Sequence, residues 1–467
     1  MTGTASDTAV RELRSELEGR VLRPGDAGYD DARTLFNTMI DARPAVIAQC
    51  ADVEDVRMAV SCGRENGLVT AVRSGGHSVA GMSTVEDGLV IDVRGLTGVE
   101  VDPDTGVARC GAGVTWAQFD AATQAHGLAT TGGRVSTTGV SGLTLGGGSG
   151  WLERKHGLTC DSLRAVELVT AGGDHIRASR TEHPELFWAL HGGGGNFGVA
   201  TAFEFDLHPL GPTVLAGLML WPGDRGRAVV ERMREQIEGG APDELGVAAV
   251  YITGPPEPFV PPELHGTLCI GLAFLWAGEY QADGEELAQD FRELRPAVDL
   301  VGPMPYTEFQ SLIDDPPGLR NYWTADYLGG LPNAAVDAFV DGSELMPVPS
   351  ASQSILMPWG GAVARAGDTP MAHREAPWVT HPFALWDDDS GDVDQIGWAR
   401  AISGEMKRFS NGGVYLNFIG NEGRDRVRAA FGGAYERLAR VKGAYDPHNF
   451  FQLNANIEPA TVTGVSL

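Results

Sequence analysis

The chain has 467 residues, with 62 Asp or Glu against 35 Lys or Arg and a net charge of −27. So acidic a surface repels nucleic acid and anionic lipid, which argues against a nucleic-acid or membrane-surface role. The length calls for two domains rather than one core, and no apolar run approaches the ~18 residues of a membrane span.

The polar start "MTGTASDTAVRELRSELEGR" lacks the apolar stretch of a secretory signal, so a cytoplasmic location is expected. The cysteines number five, an odd count with no CxxC spacing, which argues against a disulfide framework and a zinc site. No metal is expected, and nothing in the pattern specifies an oligomeric state. Glycine is the informative residue: there are 63, clustered at 74–81, 132–150 and 192–198. Clustered glycine in a globular chain marks close backbone approach.

In chain order, "PAVIAQC" reads as a strand and "DVEDVRMAVSCGRENG" as a helix with an Asp cap and a terminal Gly. "VTAVRS" and "GLVIDV" are further strands, and "TWAQFDAATQAHG" is a second helix. "LRAVELVTAGGDHIRAS" predicts a hairpin around Gly-Gly, and "HPELFWAL" a short helix. From about 210 prolines crowd in, strand-like runs such as "GTLCIGLAFLWAG" alternate with helical ones such as "DGEELAQDFRELRP", and a second domain is expected. "VYLNF" at 414–418 predicts a strand with Tyr415 and Asn417 on one face. "RDRVRAAFGGAYERLARVKGAYDP" predicts one long helix. The fold class is α+β.

"GGGGNFG" contains G-x-G-x-x-G, but a helix precedes it and a strand follows, the reverse of a dinucleotide-binding βα turn. P-loop, HExxH and GxSxG motifs are missing from the sequence. Three glycine loops beside strand ends, with few basic residues nearby, point instead to backbone N–H nests around a long anionic ligand. His77, after Gly75 and Gly76 in "RSGGHS", is an imidazole presented on bare backbone, able to meet a planar ligand at close range.

"RSGGHS" (73–78), "TTGVSGLTLGGGSGWLERKHGLTCDSL" (137–163), "GGGGNFGV" (192–199) and "YDPHNFFQLNANIEP" (445–459) together resemble the berberine-bridge-enzyme-like FAD-linked oxidases of the vanillyl-alcohol-oxidase superfamily, in their bacterial 6-hydroxynicotine-oxidase and antibiotic-tailoring branch. The resemblance implies a discontinuous FAD domain (1–208 with a returning segment 419–467) and an inserted sheet-plus-helices substrate domain (209–418). It implies FAD attached once, through His77, with Gly75 and Gly76 giving the room for attachment. Val135 stands where some members carry a second, cysteinyl link, and Cys160 lies too far downstream to replace it.

Cofactor contacts implied in the first loop are Arg73, Ser74, Gly75, Gly76, His77 and Ser78. In the second segment they are Val135, Thr138, Gly139, Gly142, Gly147, Gly148, Gly150 and Asp161. Asn196, Gly198 and Val199 follow in the third, then Tyr415 and Asn417, and the chain end returns with Asn454 and Asn456. Thr138 falls where a bulky residue blocks oxygen in this family and a small one admits it. Phe418 replaces the tyrosine that is the usual base, and Phe accepts no proton. Tyr251, His381 and Tyr415 are the remaining catalytic candidates. The implied reaction is hydride transfer from a small, hydrophobic, secondary-metabolite-type substrate to the flavin with O2 as acceptor. An oxygenase or oxidative cyclase, and a drug-binding flavoprotein without turnover, remain open beside it.

Overall fold

Short strands with parallel pairing open the chain. Val46–Gln49, Leu89–Asp92 and Thr70–Arg73 pair in parallel, and Arg20–Leu22 adds an antiparallel edge to this four-stranded sheet. The computed structural model describes residues 7–460. Asp52 accepts the Asp55 N–H and starts the helix Val53–Glu65 where the acidic cap predicts it. Thr115 and Gln118 form a capping box at the start of Trp116–Gln124. A second, five-stranded antiparallel sheet follows, and its Leu163–Val169/His175–Ser179 hairpin turns at the predicted Gly-Gly.

Residues 213–386 build a nine-stranded sheet. Side chains along a strand alternate between faces. Leu245, Val247, Ala249 and Tyr251 pack with the helices Gly226–Glu238, Gln281–Arg292, Asn333–Ser343 and Asp392–Met406 in one core. Ala248, Met357 and Val379 turn to the opposite face and join the core of the glycine-rich half. The site lies on that opposite face.

Two sequence expectations need correction. "VYLNF" is not a strand: Leu416–Phe418 is a 3-10 turn. The long C-terminal helix is broken into Arg424–Phe431 and Tyr435–Tyr445, because Gly432 adopts a φ of 49° that no regular helix passes through.

The two halves meet partly through a buried acid. Asp120 is 2% exposed, and Gln310 Nε2 donates to its Oδ2 at 3.0 Å. Its Oδ1 has no hydrogen-bond partner, and burial pushes the carboxyl up to about 7. Folded Asp120 therefore keeps its proton where the unfolded chain, with a carboxyl near ~3.9, has lost it. Its contribution to stability falls as pH rises from the unfolded value to about 7, then levels. Asp120→Asn removes this dependence. The melting temperature of the variant relative to the parent is expected to rise between about pH 4 and about pH 7 and to stay flat above, as a paired pH series of thermal melts will measure.

Candidate functional site

The strand Thr70–Arg73 ends in the loop that carries His77. This loop touches the second glycine segment backbone to backbone. A Cβ on Gly75 would lie 2.3 Å from the Gly139 nitrogen, and one on Gly139 would lie 2.5 Å from that of Gly75. Gly76 turns with φ 74°. The missing side chain of Gly75 thus admits Gly139, in addition to its place on the cavity wall. The imidazole of His77 stacks on Phe36 at 4.3 Å and 18°. The Thr137 hydroxyl is 3.0 Å from its Nε2, and that of Thr138 is 3.5 Å from its Nδ1. Burial lowers His77 to about 4, so the ring is neutral at pH 7.

A cavity of about 440 Å³ opens beside it. Ser74, Gly75, Gly76, His77 and Ser78 line one part, and Val135, Thr138, Gly139 and Gly142 line another. Gly198, Asn417, Asn454, Asn456 and His381 complete the predicted residues that reach the wall. A Cβ on Gly142 would meet nothing within 4 Å, as expected of backbone facing open space.

The other predicted residues stand behind the wall. Arg73 donates to the carbonyls of Ala32 and Thr34, tying down the end of the Tyr29–Arg33 helix. A Cβ on Gly148 would collide with Thr159, on Gly150 with the Gly132 carbonyl, and on Gly147 with Met371, so these glycines serve packing. Asp161 pairs with Arg374, and Val199 is a fully buried strand residue. Asn196 clamps the chain end, donating to the Ala455 carbonyl at 3.1 Å and accepting the Ile457 N–H at 3.1 Å.

Tyr251 falls on the helix face of the large sheet, against Gly226 and Phe339, away from the cavity. The Tyr415 hydroxyl accepts the N–H groups of Gly148 at 2.7 Å and Ser149 at 3.0 Å and the Asn417 amide at 2.9 Å. It braces the second glycine segment instead of facing the cavity with Asn417, because the turn at 416–418 abolishes strand alternation.

His381 is the catalytic candidate that the fold brings to the wall. It lies on Trp378–Trp386, whose Val379 joins the cavity-side core while Trp378, Ala384 and Trp386 join the helix-side core. Its Nδ1–H donates to the Thr324 carbonyl at 2.9 Å, which leaves Nε2 as a free acceptor. Phe418 stacks on the ring at 4.4 Å and 8°, and burial lowers His381 to about 4.

Sequence reasoning missed Phe36 and Thr137, the supports of His77, and also Asp315, Gln353, Trp323 and Phe383 on the cavity wall. Alternation in "SQSILMP" and "WVTHPFALW" carries the signal for Gln353 and Phe383. A buried ion pair was missed too. Lys442 Nζ donates to Asp446 Oδ2 at 2.6 Å and to the carbonyls of Asn196 at 2.7 Å and Phe451 at 2.9 Å. Asp446 accepts the N–H groups of Phe450 and Phe451 at 2.8 Å each. This pair fastens the third glycine loop to the returning chain end. Among the described residues no helix is long and apolar enough to cross a membrane, and no His/Cys/Asp/Glu group is placed to hold a metal.

The glycine-walled cavity, with a neutral histidine on its wall and the large sheet closing it, can enclose a sizeable ligand held largely by backbone. The FAD binding domain model matches residues 44–179, and the berberine and berberine-like model matches 414–458. The chain is 30% identical over 472 residues to (R)-6-hydroxynicotine oxidase of Paenarthrobacter nicotinovorans, covering 95% of this chain and 97% of that one. The crystal structure of 6-hydroxy-D-nicotine oxidase from Arthrobacter nicotinovorans aligns with TM-score 0.86 at 28% identity, over 95% of this chain and 99% of that one. An FAD-dependent monooxygenase of Fusarium proliferatum is 36% identical over 56% of this chain and 48% of its own length. The chain belongs to the berberine-bridge-enzyme-like family of FAD-linked oxidoreductases.

Removing one partner of a buried ion pair strands the other charge, at about 3–5 kcal/mol. Lys442→Met is expected to lose stability on that scale in denaturant unfolding. The flavin absorption band should change at lower denaturant than in the parent, since the segment that borders the cavity is loosened.

Proposed function

We propose that the chain is an oxidase carrying one FAD bound covalently through His77, with a small molecule as reductant and O2 as acceptor. The observation that carries this is His77 itself: a neutral imidazole on the cavity wall, steadied by Phe36 and Thr137. A neutral ring has the lone pair that bond formation to the flavin requires.

The residues fit the cofactor. Gly142 leaves backbone open to the cavity, and the Asn456 Oδ1 is buried without a partner although its residue lines the wall. Among the described residues that line the cavity, Lys and Arg are represented only by Arg134 and Arg424. Backbone amides and asparagines would therefore hold most of the FAD. The FAD domain would span about 1–208 and 419–467, with the substrate domain between them.

Bound FAD supplies a two-electron acceptor that O2 can reoxidise. The chain supplies the rest. Of the candidates read from the sequence, His381 is the one whose Nε2 could accept a substrate proton at the wall, since Phe418 cannot serve and Tyr415 and Tyr251 face elsewhere. Val135 offers no sulfur for a second link, and Cys160 is fully buried with its Sγ toward the His191 carbonyl. The five free cysteines support a cytoplasmic setting. A monooxygenase reading stays beside this one on the strength of the Fusarium relative's name. Label from isotopic O2 entering the product, instead of peroxide alone, would favour it.

After denaturation in acid, flavin colour is expected to stay with the polypeptide of the parent and to wash away from His77→Ala. Colour that survives in His77→Ala would overturn the single-link assignment. Thr138→Leu, placing a branched side chain beside His77 Nδ1, is expected to slow reoxidation of the reduced protein by air at least about tenfold. Stopped-flow absorbance will follow that step; an unchanged rate removes Thr138 as an oxygen gate.

A further inference from the structure

The two ring nitrogens of His77 have unequal surroundings. The Thr137 hydroxyl lies 3.0 Å from Nε2, an ordinary hydrogen-bond distance, and the Thr137 main chain also bonds the ring. The Thr138 hydroxyl lies 3.5 Å from Nδ1, at the outer limit of such a bond. Phe36 covers one ring face at 4.3 Å and 18°. A neutral imidazole has one N–H and one lone pair, and the partner of one nitrogen fixes the task of the other.

Thr137 is itself held in place by a distant segment. Asp314, in the loop between the helix Tyr306–Ser311 and the strand Arg320–Trp323, accepts the Ser136 N–H at 2.6 Å and the Ser136 hydroxyl at 2.5 Å. Gln310 Nε2 donates to the Gly133 carbonyl at 3.3 Å. The residues just before Thr137 are thus pinned from one side, while Gly139, just after it, is packed on Gly75 from the other. The Thr137 side chain remains exposed to solvent.

Attachment of a flavin changes what Nε2 needs. Nδ1 gives its lone pair to a flavin carbon. One C–H bond of that carbon and the Nε2–H bond break, and a C–Nδ1 bond forms. The two electrons released pass through the flavin to O2, which leaves with both protons as peroxide. Nε2 is therefore a donor before the step and an acceptor after it. A carbonyl serves only the first state, whereas a hydroxyl accepts or donates by rotating. The exposure of Thr137 gives the departing proton a way to water.

We propose that Thr137 is a positioning residue for covalent attachment: its hydroxyl keeps the proton on Nε2, leaves Nδ1 as the attacking atom, and donates to Nε2 once that proton has gone. This rests on the reading of His77 as the point of attachment.

Thr137→Val keeps the shape and removes the hydroxyl, and Thr137→Ser keeps the hydroxyl. Each full chain is produced in flavin-starved cells and mixed with FAD in air, and the colour that stays with acid-denatured polypeptide is followed over time. Thr137→Ser is expected to attach FAD within about threefold of the parent rate, and Thr137→Val at least about tenfold more slowly, the worth of one hydrogen bond to a developing charge. NMR of the flavin peptide released from the parent by proteolysis is expected to show the bond on Nδ1. A parent-like rate in Thr137→Val, equal slowing in both variants, or a bond on Nε2 each overturns the proposal. The bond position is read on the parent even where a variant does not fold. A parent whose flavin all washes away overturns the His77 reading and the proposal with it, whereas a coloured parent with a parent-like Thr137→Val overturns the proposal alone.

Discussion

The site depends on one contact between two loops that are far apart in sequence and touch without side chains. Gly75 and Gly139 lie backbone against backbone, closer than any Cβ would allow. Ser74 and Ser141 reinforce the join by donating to the same carbonyl, that of Ala112. The contact brings Thr137 and Thr138 onto His77 and fixes which ring nitrogen each meets. An alanine at either glycine would push the loops apart by more than a side-chain adjustment can absorb, since the atoms in the way are main chain.

A second constraint joins the third glycine loop to the C-terminal segment. Asn196 and Lys442 bind the third glycine loop to residues 446–457, and both are fully buried. The buried pair contributes little net stability by itself, because desolvation of two charges opposes their attraction. Its value is positional: Asn454 and Asn456 reach the cavity only if this segment returns to the same place.

Much of this is legible in the sequence. Caps and turn residues mark the helix Val53–Glu65 and the Gly-Gly hairpin, and the combination of glycine motifs identifies the family. The individual roles of glycines are less legible. Gly142 and Gly148 look alike in the sequence, yet one faces open space and the other a threonine. Only tertiary packing separates them. The side on which Tyr251 falls is not legible, because alternation assigns residues to two faces without saying which face meets helices. Tyr415 was misplaced because a five-residue apolar-aromatic run does not distinguish a strand from a tight turn. Asp315 sits in a proline-flanked loop with no periodic signal, so its place on the wall emerges only from the fold.

The large sheet has one further consequence. Residues 353, 355, 381 and 383 lie in register on the face toward the cavity, whereas Leu356, Trp378 and Ala384 are sunk among helices on the other. The two sets interleave along the same strands and face opposite sides of the sheet. Changes at every second residue can thus redraw the shape offered to a ligand while the alternate residues keep the scaffold intact. One backbone can in this way diversify toward new chemistries without being refounded each time.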